Sequence, residues 1–436
     1  MSHLDDIKQY AKSCLADEIP SGQKHKWACQ RFFDDLDRIG VTDFPYIWSE
    51  ENANKIVKWF SLLKHSKGVL AGSPIELTAW QKFRACQLYG WIHRETGKRR
   101  FKKSFTEVGR KNSKSQMEAG EALYEISIQA TKNMETYEVY TAGTKRDQSK
   151  IVFSECNLMT KGSILRSKFN FKRDEIVHIK TGSFIKPLSK EDGKTGDGTN
   201  PACLILDEYH QHPTSDFYDL GLGSNTKEPM LTIITTAGRD LTYPCYTQEY
   251  DYCSKVLDPV VDVKNDEYFI DICEADKGDD PGELTTWQKA NPIRAFYDEG
   301  IKKIAEDYEI AKQIPEKMIS FMTKVLNIWV SAANNGYMDM TKWKACEVKE
   351  PPIELKGKPV YVGFDMSSKI DLTSVAFVVP YQTDRLDSSS KKVVNYVVWT
   401  HSFIPTIDKL REHIIKDKVP YDAWERLGYL TLTNTP

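Results

Sequence analysis

The stretch "FTEVGRKNSKSQMEAGEAL", residues 105–123, decides how the rest of the chain is read. It passes from an apolar strand-like start through a basic turn into a helix-forming run. A phosphate-binding loop has the pattern G-x-x-x-x-G-K-[ST] at such a junction. Lys114-Ser115 supplies the last two positions, but Val108 and Ser113 stand where the glycines belong. Glycine there lets backbone N–H groups wrap phosphates with no Cβ in the way. Val108 is acceptable as the last strand residue, with Gly109 supplying the turn. Ser113 puts a side chain where the backbone would approach the phosphates. A Lys-Ser pair at a helix start also occurs in ordinary basic surface loops.

A second stretch bears on that choice. "PACLILDEYH" (201–210) is an apolar strand ending in adjacent carboxylates, Asp207 and Glu208. In P-loop enzymes the first acid holds the Mg²⁺ shell and the second orients the attacking water. An aspartate ending a strand is equally an ordinary helix N-cap; the pair gains meaning from its place downstream of a Lys-Ser loop. "LTIITTAG" (231–238) reads as a buried strand ending in small hydroxyl residues, where a helicase-like ATPase senses the γ-phosphate. "ELTAWQKF" (76–83) offers Gln81, whose amide can read adenine, with Trp80 or Phe83 for packing.

The bulk composition bounds these readings. The chain has 436 residues, too many for one core, so two or three domains are expected. A net charge of −2 excludes a uniformly basic nucleic-acid coat and leaves room for a local basic groove. The nine cysteines are scattered with no C-x-x-C pair, which suits reduced thiols better than disulfides or a zinc site. No apolar run approaches the ~18 residues of a membrane span, and the N-terminus lacks signal-peptide character. A soluble, intracellular protein is expected.

Along the chain, helices are expected over 3–38 (two of them), 50–66 and 77–92. Short β-rich runs at 104–108, 137–142, 176–180, 202–207 and 231–236 then alternate with helical ones. That alternation predicts an α/β fold with a mostly parallel sheet flanked by helices. Residues 246–300 look irregular, and a long helix at about 298–330 is interrupted by Pro315. A polar, proline-rich connector at 347–359 leads to strands at 360–367, 372–380 and 393–399. The boundaries drawn are 1–75, an N-terminal helical region; 76–250, a P-loop core; 251–346, a helical and irregular subdomain with linker; and 347–436, a second α/β domain.

In order, "SPIELTAWQKF", "EVGRKNSKS", "YTAGTKRDQSKIVF", "PLSKEDGKTGDGTNPACLILDEYH", "TIITTAG", "WQKANP", "KVLNIWV" and "VGFDMSSKIDLTSVAFVV" resemble blocks of the large terminase subunit of tailed bacteriophages. Terminase loops often lack the first glycine, and they typically read R-K-N-G-K-[ST], so Ser113 is the departure. The resemblance implies a helicase- or RecA-like P-loop ATPase followed by an RNase H-like nuclease. Together these would drive viral double-stranded DNA into a procapsid and cut it.

It implies ATP and Mg²⁺ as cofactors, with Gly109, Arg110, Lys111, Asn112, Ser113, Lys114 and Ser115 around the phosphates. Lys114 would contact the β- and γ-phosphates, Ser115 and Asp207 would serve Mg²⁺, and Glu208 would activate water. Gln81 would read adenine, and Thr235, Thr236 and Gly238 would couple hydrolysis to movement. Arg110, with Lys111 as its rival, would neutralise transition-state charge. Arg146 is either a finger acting on a neighbouring subunit or a surface helix residue.

For the nuclease, Asp365 and Asp371 match strand-end metal acids that would take Mg²⁺ or Mn²⁺; each is equally readable as a turn aspartate. Asp408 and Glu412 are not assigned to the metal site. The chain ends before the family's further acids, so an incomplete nuclease is expected. Implied partners are double-stranded DNA held through its backbone, the small terminase subunit, a portal protein and other copies in a ring, in the host cytoplasm and with no membrane. The basic segment 94–103 reads as a solvated loop or a DNA track. Competing readings are a helicase-like ATPase without a nuclease and a packaging-inactive relic or assembly protein.

Overall fold

Strand Pro201–Asp207 shows how the fold is layered. All seven of its residues are buried, yet they point alternately to two sides. Cys203 and Ile205 join a core with Ile7, Phe60, Phe83, Met117 and Val152. Leu204 and Leu206 join another with Phe217, Ile233, Cys253 and Ile270. A strand buried on both faces needs helices on both faces, which is the arrangement of parallel α/β sheets. The computed structural model describes residues 2–188, 199–330, 340–348, 350–367, 372–386, 389–417 and 421–433, without the side chains of 146, 340–342, 415–417 and 423. The chain divides into two units, 1–335 and 336–436.

In the first unit, helices α1 (His3–Leu15) and α2 (Gln23–Asp37) match the expected N-terminal pair. Ser2 caps α1 by accepting the Asp5 N–H, and two aspartates favour its first turn. A ribbon of β1 (Tyr46–Trp48) and β2 (Trp91–His93) flanks α3 (Glu50–Ser61) and α4 (Ala79–Gly90). Strand β3 (Lys103–Glu107) enters the main sheet and leads into α5 (Lys114–Tyr124). The remaining strands of that sheet are β4 (Glu138–Ala142), β5 (Phe169–Phe171), β6 (Ile176–His178), β7 (Phe184–Pro187), β8 (Pro201–Asp207), β9 (Met230–Thr235) and β10 (Tyr268–Ile272).

The sheet order is β10-β3-β9-β8-β4-β7-β6-β5, parallel except for the hairpin pairings β5–β6 and β6–β7. Strand β9 therefore lies between β3 and β8. It pairs Thr235 with Glu107 on one side and Ile234 with Asp207 on the other. The C-terminal ends of all three strands are flush. In open α/β sheets ligands bind at this edge.

Two differences from the sequence expectation have physical causes. The segment expected to be irregular contains β10, fully buried and parallel to β3; Asp271 within "YFIDI" conceals its apolar character. Pro315 starts a second helix, Pro315–Lys324, after Asp298–Gln313. At the first helical position proline sacrifices an N–H that would be unpaired anyway.

The second unit has a sheet in the order β11 (Tyr361–Asp365), β12 (Thr373–Leu386), β13 (Lys392–Ile404) and β14 (Leu430–Leu432). The first two pairings are antiparallel and the last parallel. Ile404, Leu410 and Leu430 form its small core. Among the described residues no helix is long and apolar enough to cross a membrane.

Candidate active site

The turn from β3 to α5 is held from behind by a second loop. Gly109 donates its N–H to the Ala290 carbonyl, and Arg110 donates to the Lys324 carbonyl. A Cβ on Gly109 would meet Asn291 Oδ1 at 2.6 Å, Val325 O at 2.8 Å and Ala290 O at 2.9 Å. Glycine is required there by close approach rather than by its φ. The buried Asn112 side chain donates to Gly109 O and to Asn291 Oδ1, both at 2.9 Å. Its own oxygen accepts the N–H groups of Ile293 and Arg294. The Asn112 amide is thus committed to the "WQKANP" segment, away from any phosphate. Lys111 and Ser113 both lie in the left-handed region, at φ 72° and 57°. Ser113 therefore adopts the conformation that explains the glycine preference at this position.

The Lys114 side chain is buried, and its ammonium donates to Val108 O at 3.2 Å and Gly109 O at 3.4 Å. Among the described residues no carboxylate lies within ion-pairing distance of it. Burial lowers its pKa, while the charges of Glu208 and Asp207 act in the opposite direction. The two acids ending β8 are therefore within electrostatic reach of the ammonium that begins α5. Asp207 is pushed up to about 7 by burial first and by Glu208 second. Ser115 is half-buried on the first turn of α5, and Arg110 and Lys111 are exposed.

Glu208 itself takes a left-handed backbone, φ 51°, which turns its side chain out of the strand line. Thr236 Oγ1 donates to Glu208 Oε2 at 3.5 Å. Thr235 Oγ1 accepts the His210 N–H at 3.0 Å and donates to Thr236 O. Gly238 packs against Trp329 and His210, where a Cβ would meet the indole at 2.8 Å. The strand-end motif "TTAG" thus touches the acid motif directly.

Two residues with no assigned role in the sequence reading join this site. His210 Nδ1 lies 3.2 Å from Glu208 Oε2, and its Nε2 lies 2.8 Å from the Lys324 ammonium. Burial, with the charges of Lys324, Lys114 and Arg110, pushes the His210 pKa down to about 2, so the ring is neutral. Lys324 can only donate, so Nε2 accepts and the ring proton sits on Nδ1, which bonds Thr235 Oγ1 at 3.0 Å. Burial and the Arg110 charge in turn lower the Lys324 pKa to about 8. Local signals for these two were thin: His210 follows the acid pair at once, and Lys324 opens "KVLNIWV".

Gln81 is buried and its Oε1 accepts the Thr78 N–H at 3.0 Å, closing a capping box that starts α4. Its oxygen is occupied by that cap. In the basic segment, Arg99 pairs with Glu125 and Arg100 with Asp35, all buried; these arginines stabilise the fold rather than line a surface. Arg146 begins the helix Arg146–Thr160, but its side chain lies outside the described residues. Asp365 ends the exposed strand β11, and Asp371 lies outside the described residues. Among the described residues no metal-binding group of three forms around Asp365.

The residues at the β3–β9–β8 edge fit a phosphate and a hard cation. A buried ammonium held only by carbonyls suits an anion. A carboxyl raised by burial and a like charge regains its charge beside a cation. Ser115, Asp207 and Glu208 offer oxygen alone, the donor chemistry of Mg²⁺.

A parallel sheet with this loop and these acids at one edge defines a P-loop fold. A family model for the terminase large subunit ATPase domain matches residues 79–255, and one for the terminase large subunit endonuclease domain matches 262–426. The large terminase subunit of Enterobacteria phage HK97 is 30% identical over 386 residues, 84% of this chain and 68% of that protein. Protein YmfN of Escherichia coli K12 is 29% identical over 262 residues, 57% of this chain and 53% of that one. The chain thus spans about half to two thirds of the length of these relatives. The crystal structure of the HK97 bacteriophage large terminase shares the fold, with a TM-score of 0.52 at 23% identity, over 87% of this chain and 74% of that one. The chain belongs to the terminase large subunit family. The endonuclease match also bears on the expectation of an incomplete nuclease. Its reach from 262 to 426 begins well ahead of the boundary drawn at 347 and gives that expectation no support.

Proposed function

We propose that this chain is an ATP-driven motor that moves double-stranded DNA into a procapsid and carries a metal-dependent nuclease. The observation that supports it most is the charge arrangement at one sheet edge. The buried Lys114 ammonium, unpaired by any carboxylate among the described residues, feels Asp207 and Glu208 across the intervening strand β9. In this reading Lys114 holds the β- and γ-phosphates, and the backbone N–H groups of 109–115 cradle them. Ser115 and Asp207 would hold Mg²⁺, which would supply charge neutralisation for the phosphates. Glu208 takes the proton of the attacking water. His210, itself anchored on Thr235 Oγ1, lies against the Glu208 carboxylate and limits where it can sit. Arg110, exposed on the loop, is free to swing toward charge that develops on the phosphate.

Thr236 supplies the coupling. Its hydroxyl donates to Glu208, so a change in charge at the phosphate is felt at the end of β9 and, through Gly238, at Trp329. Gln81 is proposed to act on adenine through its amide nitrogen alone. On the second unit, Asp365 and Asp371 are proposed as metal acids of the nuclease. The proposed divisions remain 1–75, 76–250, 251–346 and 347–436, with β10 completing the ATPase sheet from the third. Proposed partners are DNA, a small terminase subunit, a portal protein and further copies of this chain in a ring, in the bacterial cytoplasm.

ATP turnover by the purified chain, with and without double-stranded DNA, tests this reading. Glu208→Gln should retain nucleotide binding and lose turnover by at least ~100-fold, the scale of removing a positioned general base. Turnover unchanged in Glu208→Gln would overturn the assignment of the site.

A further inference from the structure

Helices α1 and α2 and strand β10 enclose a set of metal-binding side chains that the nucleotide site does not use. Along the sequence the cysteines look scattered, but the fold brings Cys14, at the end of α1, and Cys29, within α2, to the ring of His25. His25 and Cys29 are four residues apart and share one face of α2. Cys14 Sγ lies 3.8 Å and Cys29 Sγ 3.7 Å from His25 Nε2. All three residues are buried, and their ligand atoms lie within 4.8 Å of one another.

These separations match a specific ion chemistry. Zinc with bonds of ~2.3 Å to sulfur and ~2.0 Å to nitrogen has tetrahedral sulfur–nitrogen edges of about 3.6 Å. The two observed edges are within a few tenths of an ångström of that value. Two thiols and an imidazole select soft or borderline ions over magnesium or calcium.

The orientation of the ring argues the same way. His25 Nδ1 lies 2.6 Å from Asp271 Oδ1, and the other Asp271 oxygen accepts the Trp80 Nε1–H at 2.8 Å. A carboxylate that takes the Nδ1–H fixes the ring orientation, with Nε2 on the side of the two sulfurs. Metal-bound histidines are commonly held in this way by an outer carboxylate. Cys273 Sγ is 3.6 Å from Nδ1, on the side of the ring already taken by Asp271, and falls outside the ligand set. Tyr10 OH stands 3.0 Å from Nε2. A cavity of about 370 Å³, lined in part by Tyr10, Ser21 and His25, adjoins the cluster and gives an ion and a water a way in.

We propose that Cys14, His25 and Cys29 bind one zinc ion, with the fourth position facing Tyr10 and the cavity and taken by water. Binding displaces to solvent whatever protons the three ligand atoms carry, and no oxidation step is involved. The site staples α1 to α2 and, through Asp271, both to strand β10. It stands apart from the nucleotide reading, because none of its members belongs to the proposed phosphate site.

The test uses the full chain, kept reduced and purified in the presence of zinc. Elemental analysis should find about one zinc per chain. After chelation, Co²⁺ should produce thiolate-to-cobalt charge-transfer absorption and the strong ligand-field bands of a tetrahedral sulfur site. Cys29→Ser should lose those bands, and Cys156→Ser, at a buried cysteine elsewhere, should keep them. Should Cys29→Ser fail to fold, the unmutated chain decides the matter. Substoichiometric zinc together with no cobalt bands would overturn the site. So would peptide mapping that finds Cys14 and Cys29 joined as a disulfide in protein never exposed to oxidant.

Discussion

The Lys324 ammonium lies 2.8 Å from Nε2 of His210, whose opposite ring nitrogen lies 3.2 Å from the Glu208 carboxylate. A lysine far along the chain thereby sets which histidine nitrogen carries the proton, and that proton bonds Thr235 Oγ1 beside the acid. Partners of this kind act by orientation, and removing one commonly costs ~10–100-fold. His210→Ala should lower kcat for ATP hydrolysis within that range while leaving nucleotide affinity near its original value. Steady-state kinetics with a separate binding titration reads the two apart. An equal loss in affinity would show that His210 shapes the pocket instead.

The same pair sets a pH dependence. The Lys324 pKa is lowered to about 8 by burial and by the nearby Arg110 charge. The unfolded chain therefore keeps this proton between about 8 and 10.5, the usual lysine value, while the folded chain loses it. Its unfavourable contribution to stability is full below pH 8 and fades as pH rises through that window. For activity the direction is opposite, because deprotonation removes the donor to His210. kcat/KM reports the free enzyme, so it should fall above pH 8. In Lys324→Arg, which stays charged, that alkaline limb should move up or vanish. A profile identical in both proteins would remove Lys324 from the mechanism.

Much of this edge was legible in the sequence because its motifs are local. Lys114 and Ser115 announce a helix start after a strand, and Asp207-Glu208 closes a run of four apolar residues. What was not legible depends on contacts between distant segments. Asn112 reads as a loop residue beside the phosphates, but its amide is claimed by Asn291 and the turn behind it. Gln81 reads as a base contact, yet three residues earlier Thr78 makes it half of a capping box. His25 and Cys29 share a helix face, but Cys14 joins them only because two helices and their connection bring it there. Strand β10 was hidden by a buried aspartate whose partners, His25 and Trp80, come from elsewhere in the chain.

Ser113 stands at the second glycine position of the phosphate-loop pattern, and its backbone makes the outcome of substitution predictable. At φ 57° a residue with a Cβ carries about 1–2 kcal/mol of left-handed strain. Glycine relieves that strain and loses ~0.4–1 kcal/mol through a freer unfolded chain. Ser113→Gly should therefore stabilise by about 0–1.6 kcal/mol and leave turnover equal or higher. Ser113→Val should destabilise, since a β-branched residue tolerates this region worst. Denaturant midpoints and ATPase rates of the two variants check both directions. Stabilisation by valine would contradict the assigned backbone.

Behind the loop, α5 is fixed by an ion cluster that leaves little room for substitution. Arg84 on α4 is fully buried, donates to Glu118 at 2.7 Å, pairs with Glu121, and bonds Thr106 Oγ1 on β3 at 3.0 Å. One guanidinium therefore ties together the strand before the phosphate loop, the helix after it and the helix in front. Burial raises the pKa of both glutamates, and the Arg84 charge is the main influence holding them down. Arg84→Met keeps most of the volume but strands two carboxyls in the core. Breaking a buried pair in this way costs about 3–5 kcal/mol, a large share of the ~5–15 kcal/mol by which domains are stable. The stranded glutamates would then take up protons near neutral pH, so the variant should recover stability as pH falls toward 5. In the parent the Arg84 charge opposes that protonation, so its gain over the same interval should be smaller. Thermal melts of both proteins across that range provide the measurement. A loss independent of pH would mean that Arg84 contributes packing rather than charge.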